Sequence, residues 1–476
     1  MNGSNDNNLI QLMIQNLFNT YALMHEIVLL IHKNKGTAFL VGGAVRDYFM
    51  GRAIKDIDIE VHGINEENLV KLLSSFGPVH RVGASFGIFS VPGCEIEWAL
   101  PRHDSPGRKP TVSVDPFMDI KEACSRRDLA MNGMAINCIT GELIDSFGGR
   151  KDISDKILRT PEPLFFVQDP LRFYRVMQFI GRFDMNPDDT LNEVCSRMDI
   201  TGVSRERIEQ EIKKLLLLSR YPSRGIRWLQ KINRLEEIFP EIAALIAVAQ
   251  DPEWHPEGDV FEHSMQALDA AAEITYPCAF ITIALRYAAL CHDMGKAVSS
   301  CLRNGRWTAH GHAVTGVPIS YMFLRRITRD KELIKVVKKC VLYHMAPGEF
   351  VKTHASAAAY KRLAADLFPE INLDLLADLS VSDKKGRNAQ SSEPLSNGPN
   401  DIQIFRDTAQ KYGVLYEPER AILTGKDFLD VISEGPELGA AVDCAYKIQI
   451  NSGITDKTEL KKRTVAQLHD RVGDKK

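Results

Sequence analysis

The chain has 476 residues, of which 44% are hydrophobic and 25% are charged. This is the composition of an ordinary globular protein, and the length predicts about two to four domains. The net charge of −3 excludes a globally basic nucleic-acid-binding protein, so any contact with RNA must come from local basic patches. The nine cysteines include no Cys-x-x-Cys pair, no signal peptide precedes the first helical segment, and no apolar run approaches about 20 residues. We therefore expect a cytoplasmic protein with reduced thiols and no membrane segment.

The first motif is a pair of glycines between a predicted strand and a predicted helix. Residues 9–33 have apolar residues at helical spacing and predict a helix packed on a sheet. Residues 37–41 form a short apolar run that ends at Gly42 and Gly43, and the helical pattern of residues 44–50 stops at Gly51. Glycines at such a turn let the backbone approach a triphosphate, and the helix start offers unpaired N–H groups. Arg46 adds a candidate cation for the phosphates.

Two acids follow in an alternating run of apolar and polar residues. Asp56 and Asp58 are predicted on one face of a strand, since side chains two residues apart share a face. Mg²⁺ prefers oxygen ligands from one or two carboxylates together with substrate phosphates, and two such ions suit phosphoryl transfer. On the predicted strand in residues 94–102 we choose Glu97 over Glu95 as the third acid. A solvated acidic strand face is the alternative, which the glycine turn just upstream disfavours.

Six motifs together resemble those of the class II tRNA nucleotidyltransferases, the CCA-adding enzymes. The first three are Gly42-Gly43-x-Val45-Arg46-Asp47, Asp56-x-Asp58 and Arg126-Arg127-Asp128-x-x-x-Asn132. The others follow in the family's order, and they are Asp145-x-x-x-Gly149, Asp169-Pro170-Leu171-Arg172-Phe173-Tyr174-Arg175 and residues 206–216. The resemblance runs through nearly the whole chain.

The resemblance implies roles for these residues. Asp56 and Asp58 correspond to the metal-binding acids, and Glu97 matches the third catalytic acid. Guanidinium groups meet phosphate oxygens in a bidentate way, and a carboxylate can accept a hydrogen bond from a sugar hydroxyl. The resemblance also implies that Asp169 and Arg172, three residues apart on one helix face, read the base edge of CTP or ATP. The complete set of predicted nucleotide-binding residues is Gly42, Gly43, Arg46, Arg126, Arg127, Asp128, Asn132, Asp169, Arg172 and Arg175.

One residue departs from the family's pattern. Gln168 stands where the family usually has Glu, directly before Asp169. Glutamine can accept a hydrogen bond from an arginine, but it brings no charge. If the family's Glu holds the base-reading arginine in place, Gln168 would loosen the choice of nucleotide or bias it. An A-adding, CC-adding or poly(A) polymerase-like nucleotidyltransferase therefore stays an alternative.

A second set of motifs lies downstream. An apolar helix predicted over residues 280–290 leads directly into His292-Asp293, which resembles the HD metal-dependent phosphohydrolases. The resemblance implies the metal ligands His263, His292, Asp293 and Asp383, with a solvated turn as the alternative for Asp383. Imidazole together with carboxylate suits a transition metal such as Ni²⁺ or Mn²⁺, and also Mg²⁺.

Three further histidines lie between these predicted ligands. They are His310, His312 and His344. An isolated histidine is more often structural than functional, and we favour the structural interpretation for each of them. Binding of a substrate phosphate is the alternative.

We therefore expect an α+β protein with four regions. These are a small mixed-sheet nucleotidyltransferase head at 1–160, a helical nucleotide-selection and tRNA-binding region at 161–250, an all-α HD domain at 251–390 and a helical tRNA-binding tail at 391–476. The resemblance implies stepwise addition of C, C and A to tRNA from CTP and ATP, with a second HD activity on phosphate or 2′,3′-cyclic phosphate ends. A protein that is mainly an HD phosphohydrolase with an RNA-binding N-terminal part is the alternative, although a pure binding module has no need of Asp56 and Asp58. A homodimer is compatible with the sequence.

Overall fold

The computed structural model describes residues 3–81, 87–104, 112–398 and 400–473. It divides the chain into two compact units, Met1–Ser219 with Arg224–Arg234, and Arg220–Ser223 with Leu235–Lys476. This boundary falls within the region predicted at 161–250, and the division into four regions stays a prediction. Within the described residues, no helix is long and apolar enough to cross a membrane.

The first unit combines strands and helices. Its strands are β1 (Thr37–Val41), β2 (Ile57–His62), β3 (His80–Arg81), β4 (Ile88–Val91), β5 (Cys94–Ala99), β6 (Arg102–Asp104), β7 (Val112–Val114), β8 (Ala135–Asn137), β9 (Leu143–Ile144), β10 (Ile157–Leu158) and β11 (Asn186–Pro187). Its helices are α1 (Gly3–Thr20), α2 (Ala22–Lys33), α3 (Gly43–Phe49), α4 (Glu66–Leu73), α5 (Ile120–Ser125), α6 (Gly149–Asp155), α7 (Pro163–Phe166), α8 (Leu171–Phe183), α9 (Asp189–Arg197), α10 (Arg205–Leu218) and α11 (Ser223–Lys231).

A mixed sheet forms the head of this unit. Among the described residues, seven strands lie in the order β3-β4-β5-β2-β1-β8-β9, with β5 and β2 parallel and the other neighbours antiparallel. Ile57, Ile59 and Val61 of β2 enter an apolar core together with residues of α1 and α2, and burial of each such side chain contributes about 1.5–3 kcal/mol. Asp58 and Glu60 consequently lie on the opposite face of the sheet. The predicted mixed-sheet head is confirmed, and the helix predicted at residues 9–33 is divided at Tyr21.

Two helices of the first unit pack closely beside the head. At Gly181 of α8, an added Cβ atom would come within 2.6 Å of Cδ1 of Leu215 on α10. A larger residue would therefore force the two helices apart. The carboxylate of Asp169, which lies just before α8, accepts a hydrogen bond from the Leu171 N–H at 3.0 Å. This packing brings the beginnings of α8 and α10 together.

The second unit is mainly helical. Its helices are α12 (Leu235–Ile238), α13 (Pro240–Ala243), α14 (Val260–Ala272), α15 (Ala279–Cys291), α16 (Lys296–Ser299), α17 (His312–Ile327), α18 (Lys331–Tyr343), α19 (Ala346–Lys352), α20 (Ala357–Leu367), α21 (Leu373–Lys385), α22 (Asn400–Lys411), α23 (Pro436–Ser452) and α24 (Lys457–Gly473). Every residue of α15 from Thr282 to Cys291 is buried. The helix therefore delivers the residues that follow it, His292 and Asp293, to the interior of the unit.

A short hairpin interrupts these helices. It consists of β12 (Cys301–Arg303) and β13 (Arg306–Thr308), which pair antiparallel. Asn304 and Gly305 form the turn with φ of 50° and 76°, and Asn-Gly is favoured where both central residues need positive φ. The predicted fold class is confirmed, and this hairpin is an addition to a region that the sequence predicts as all helical.

Candidate functional sites

Two of the three predicted acids, Asp58 and Glu97, lie on the solvent face of the head sheet, whereas Asp56, which was predicted on the same strand face, lies just before β2 begins. Asp58 and Glu97 are register partners on β2 and β5, and both line a cavity of about 460 Å³, here called the head cavity. Burial raises the pKa of Asp58, and Asp56 adds to this rise while Arg127 opposes it. Burial also raises the pKa of Glu97, and the charges of Asp58 and Asp56 raise it further. These carboxylates form an oxygen donor set that fits a hard divalent cation, because a bound cation would offset the burial and the neighbouring negative charge that raise the pKa values of Asp58 and Glu97.

The turn at Gly42 and Gly43 lies directly beside Asp58. Gly42 has a φ of 68°, and α3 begins at Gly43. An added Cβ atom at Gly42 would lie 3.7 Å from Oδ2 of Asp58. This distance is an ordinary contact, so it is the positive φ that would strain a side chain at this position and that favours glycine.

Arg127 is held at the head cavity by a carboxylate that the sequence did not reveal. Its Nη2 donates a hydrogen bond to Oε2 of Glu60 at 2.9 Å. Burial alone would raise the pKa of Glu60, but Arg127 and His62 outweigh burial and lower this pKa. Glu60 is thus an ionised partner that fixes one end of the Arg127 side chain.

A network of hydrogen-bonded polar side chains adjoins the head cavity. Asp128 Oδ2 accepts a hydrogen bond from Arg175 Nε at 2.6 Å, and its Oδ1 accepts one from Asn132 at 2.8 Å. Burial would raise the pKa of Asp128, but Arg175 and Asn132 lower it to about 2. Arg46 is only 6% exposed, donates to Asn132 at 2.9 Å and pairs with Asp47. Arg46 was predicted to bind the nucleotide phosphates. The structure corrects this, because Arg46 lies inside the protein, stabilises the network through Asn132 and does not line the head cavity.

The predicted base-reading residues meet at the beginnings of α8 and α10. Arg172 donates to the carbonyl of Phe165 at 2.6 Å and to the carbonyl of Arg126 at 2.7 Å. Uncharged main-chain acceptors thus fix the plane of its guanidinium group. Asp169 Oδ2 lies 3.4 Å from Nη2 of Arg207. Arg207 belongs to the family motif at residues 206–216 but had no predicted role, and it lines the head cavity with Asp169 and Arg172.

The four predicted HD ligands converge in the second unit. Nε2 of His263 lies 3.2 Å from Nε2 of His292, 3.5 Å from Oδ2 of Asp293 and 3.1 Å from Oδ1 of Asp383. Asp383 lies on α21 and is buried, so the solvated turn is excluded for it. His263, His292 and Asp293 offer donor atoms that all lie within 4.8 Å of one another, close enough to hold one metal ion, and Asp383 lies beside His263.

Two of the histidines that the sequence left as structural join this group. Oδ1 of Asp293 lies 3.3 Å from Nε2 of His312 and 3.8 Å from Nε2 of His344. Nδ1 of His344 lies 2.7 Å from the carbonyl of Val341, and Nδ1 of His312 lies 2.8 Å from that of Ala309. An Nδ1–H that donates to a carbonyl leaves the Nε2 lone pair free for a metal. We call the set of His263, His292, Asp293, His312, His344 and Asp383 the HD cluster.

A buried carboxylate supports the HD cluster from behind. Oε1 of Glu257 lies 2.7 Å from Nδ1 of His263 and 2.9 Å from Nδ1 of His255, and its side chain has no exposed surface. Burial would raise the pKa of Glu257, but hydrogen bonds from His255 and His263 lower it to about 2. No role was predicted for Glu257 from the sequence. Imidazole nitrogens and carboxylate oxygens together fit a divalent transition metal and also accommodate Mg²⁺.

Comparison with known proteins agrees with this geometry. Residues 38–159 match the family model of the poly A polymerase head domain, and residues 195–246 match that of the probable RNA and SrmB-binding site of polymerase A. The multifunctional CCA protein of Nitrosococcus oceani is 32% identical over 341 residues, which is 68% of this chain and 80% of that protein. That of Hahella chejuensis is 31% identical over 75% of this chain and 84% of that protein. This chain belongs to the class II CCA-adding enzymes.

Solved structures of CCA-adding enzymes share the fold. The Bacillus stearothermophilus enzyme in complex with CTP has a TM-score of 0.64 at 20% identity, covering 94% of this chain and 98% of that chain. The Thermotoga maritima enzyme complexed with tRNA has a TM-score of 0.58 at 19% identity, covering 94% and 95% of the two chains. The family assigned from the sequence is confirmed, and with it the dependence of this CCA-adding enzyme on a divalent metal.

Proposed function

We propose that this CCA-adding enzyme extends tRNA 3′ ends stepwise by C, C and A, with CTP and ATP as donors. The observation that supports this most directly is the head cavity, where Asp58 and Glu97 face the arginines of the Arg-Arg-Asp motif and the start of α8. Relatives named multifunctional CCA proteins, and family structures with CTP, ATP and tRNA, point to the same substrates.

Each group of residues has a separate task in this proposal. Asp56, Asp58 and Glu97 would hold Mg²⁺, which when bound lowers the pKa of the attacking 3′-hydroxyl and neutralises the departing pyrophosphate. Arg127 and Arg175 bind the triphosphate, each oriented by a buried carboxylate. The attacking oxygen forms a bond to the α-phosphorus as the bond to pyrophosphate breaks in line, so no covalent enzyme intermediate is required.

Base selection falls to the residues at the start of α8. The main-chain carbonyls that hold Arg172 leave its plane in one orientation, and Asp169 adds an acceptor next to it. A donor and an acceptor at fixed positions can read the Watson–Crick edge of cytosine or adenine without a template. Arg207 extends this set through its contact with Asp169.

Incorporation of labelled CTP and ATP into three tRNAs tests the proposal. The tRNAs end before CCA, after C and after CC, and Mg²⁺ is present. Ordered addition of both nucleotides supports a complete CCA enzyme. Addition of only C or only A would instead identify one of the narrower transferases, and no addition to any tRNA contradicts the proposal.

We further propose a phosphohydrolase activity at the HD cluster, acting on phosphate or 2′,3′-cyclic phosphate ends of RNA. The cluster is buried, rich in metal-binding donors, and borders a cavity of about 650 Å³, here called the HD cavity. Ni²⁺, Mn²⁺ or Mg²⁺ would be held by His263, His292, Asp293 and Asp383. Asp293 presents its second oxygen to His312 and His344, which supports a second ion beside the first.

Hydrolysis of the phosphate ester needs water as its second reactant and nothing else. Water oxygen bonds to phosphorus, the bond from phosphorus to the sugar oxygen breaks, and that sugar oxygen takes up a proton. Release of phosphate, or opening of the cyclic phosphate, from tRNA with each type of end tests the activity after addition of each metal. A cytoplasmic location and a homodimer stay predictions, and sedimentation of the purified protein measures the second.

A further inference from the structure

Two of the four tryptophans of the chain are exposed, and both line the HD cavity. Trp98 and Trp228 are 0% and 4% exposed, whereas Trp254 is 57% and Trp307 is 38% exposed. Both exposed rings border the HD cavity together with residues of the HD cluster. Large exposed apolar side chains that gather at one concave site indicate a binding surface. Packing within the protein therefore does not account for this pair of rings.

The hairpin that carries Trp307 is linked by ion pairs to the loop that carries Trp254. Arg306 Nε donates to Oδ2 of Asp251 at 2.8 Å, and the same guanidinium group contacts the carboxylate of Glu253. Trp307 directly follows Arg306, and Trp254 directly follows Glu253. One guanidinium group thus links the hairpin to the loop before it, next to both tryptophans in the sequence.

The hairpin gives Trp307 a second support. Leu302 of β12 is its cross-strand partner on β13, and such pairs on one face of a hairpin stabilise each other by contact. The positive φ values of the Asn304-Gly305 turn fix the register of this pairing. The ring is therefore presented by an ordered element.

The lining of the HD cavity also has the chemistry of a phosphate site. Asp293, His312 and His344 supply metal donors there, and Lys296 and Arg387 are cations that line the same cavity. Exposed aromatic rings together with a metal and cation site in one cavity match the two ends of a nucleotide. Stacking of a base on an aromatic ring tolerates any base, because every base has a π face.

We propose that Trp254 and Trp307 form a base subsite, which stacks the terminal nucleobase of an RNA 3′ end whose phosphate lies at the HD cluster. This inference rests on the proposed phosphohydrolase function for the phosphate end of the ligand. It specifies that the substrate is recognised as a nucleotide, by stacking, and not as a phosphate ester of any kind. Trp254 and Trp307 are thus specificity-determining residues.

Two cyclic phosphates, one with a base and one without, distinguish binding of the base from hydrolysis of the phosphate. Adenosine 2′,3′-cyclic phosphate and glycerol 1,2-cyclic phosphate carry the same five-membered cyclic phosphate, and only the first has a base. In the full chain, the double change Trp254→Ala with Trp307→Ala should raise KM for the adenosine substrate about 10-fold. Hydrolysis of the glycerol substrate should stay within about twofold of the wild type, since only stacking is removed. The matched double change to Phe keeps an aromatic ring at both positions and should restore most of the affinity.

A binding measurement keeps this inference separate from the hydrolase itself. Calorimetric titration with adenosine 3′-monophosphate needs no turnover, and CTP and ATP incorporation confirms that each variant is folded. Binding weakened about 10-fold in the Ala variant but not in the Phe variant supports the subsite, even if no cyclic phosphate is cleaved and the hydrolase proposal fails. Absence of binding to the wild type, equal binding to the Ala variant, or equal loss of both cyclic substrates would overturn the base subsite.

Discussion

Asp58 and Glu97 are direct register partners on two parallel strands, although a helix and two strands separate them in the sequence. Neighbouring strands lie about 4.8 Å apart, so parallel pairing brings the two carboxylates together on one face without a turn between them. Burial raises the pKa of Glu97, and the charge of Asp58 raises it further. The sheet topology thus completes a site of which the sequence motif holds only one part.

The two proposed activities should be lost independently. Asp58→Asn removes one negative charge from the head cavity and should lower CTP and ATP incorporation by at least about 100-fold, as loss of a group that stabilises transition-state charge does. Asp293→Asn should leave incorporation unchanged and abolish phosphate release. Measurement of both activities for both variants is decisive. Full incorporation by the Asp58→Asn protein would show that the metal-binding acids have been misassigned.

Glu97 can be tested against a neighbour on its own strand face. Glu97→Gln should lower incorporation, although less than Asp58→Asn, because Glu97 is the more exposed acid. Glu95 lies two residues before it on β5 and is exposed on the same face, but it does not line the head cavity. Glu95→Gln is therefore the matched control and should keep wild-type kcat. Equal effects of the two changes would argue for a general effect of surface charge.

Sequence reasoning succeeded where the chemistry is concentrated in short motifs. Asp58 belongs to a local run whose spacing indicates metal binding, the resemblance to the CCA-adding enzymes implied the roles of Arg127 and Asp169, and all three residues line the head cavity. Asp169 was predicted on the same helix face as Arg172, but α8 begins at Leu171 and Asp169 precedes it. The mixed sheet follows from alternating patterns, but its strand order does not.

The roles that could not be predicted from the sequence belong to residues whose partners are distant in the chain. Glu60 orients Arg127 across the sheet, and Glu257 reaches His263 from the loop before α14. Arg46 carries a charge in a phosphate-binding motif yet lies inside the protein. His312 and His344 each follow or begin a helix, and only the packing of α17 on α18 brings them to Asp293. The Asn304-Gly305 turn is an exception, since this dipeptide is a local hairpin signal that was available in the sequence.

The absence of the family's Glu at position 168 should have little effect on nucleotide choice. Two main-chain carbonyls hold Arg172 in place, so Gln168→Glu should change the ratio of kcat/KM for CTP and ATP by less than about twofold. Arg172→Lys loses the planar fork and should lower kcat/KM for both nucleotides by about 10-fold or more. Kinetics on the tRNA that ends before CCA give kcat/KM for CTP, and kinetics on the tRNA that ends after CC give kcat/KM for ATP. A large shift caused by Gln168→Glu would show that charge at this position does control selection.

Arg207 should behave as part of the nucleotide site. Arg207→Ala removes the partner of Asp169 and should raise KM for CTP and ATP by about 10-fold, the effect of one charge-assisted hydrogen bond of a partly exposed pair. Arg197 pairs with Glu193 on α9 and does not line the head cavity, so Arg197→Ala serves as the control. A normal KM in the Arg207→Ala enzyme would remove Arg207 from the proposed site.

Glu257 should act as a positioning residue for the metal at the HD cluster. Its carboxylate contacts Nδ1 of His263, and loss of such a partner typically weakens metal affinity by about 10–100-fold. Glu257→Gln keeps the size of the side chain, and Mn²⁺ titration in an Asp58→Asn background limits the contribution of the head cavity. Glu262→Gln changes another carboxylate close to His263, one that accepts a hydrogen bond from Gln266, and should keep wild-type affinity. Unchanged Mn²⁺ affinity in the Glu257→Gln protein would leave Glu257 with a purely structural role.

Metal binding at the HD cluster should strengthen as pH rises. Burial alone would lower the pKa of His263, but hydrogen bonds with Asp383 and Glu257 raise it from 6.5 to about 9. In the metal-free protein, the stability that this charged imidazole contributes is fully present below pH 6.5 and is lost as pH rises through about 9.

A metal ion needs the neutral ring, so binding at pH 7 must release the proton of His263. Mn²⁺ affinity of the Asp58→Asn protein should therefore rise about tenfold per pH unit between pH 7 and 8.5. Titrations in buffers of different ionisation enthalpy should count about one released proton for each ion bound at pH 7. An affinity that is independent of pH over this interval, with no proton released, would show that His263 is already neutral and that its partners do not hold the extra proton.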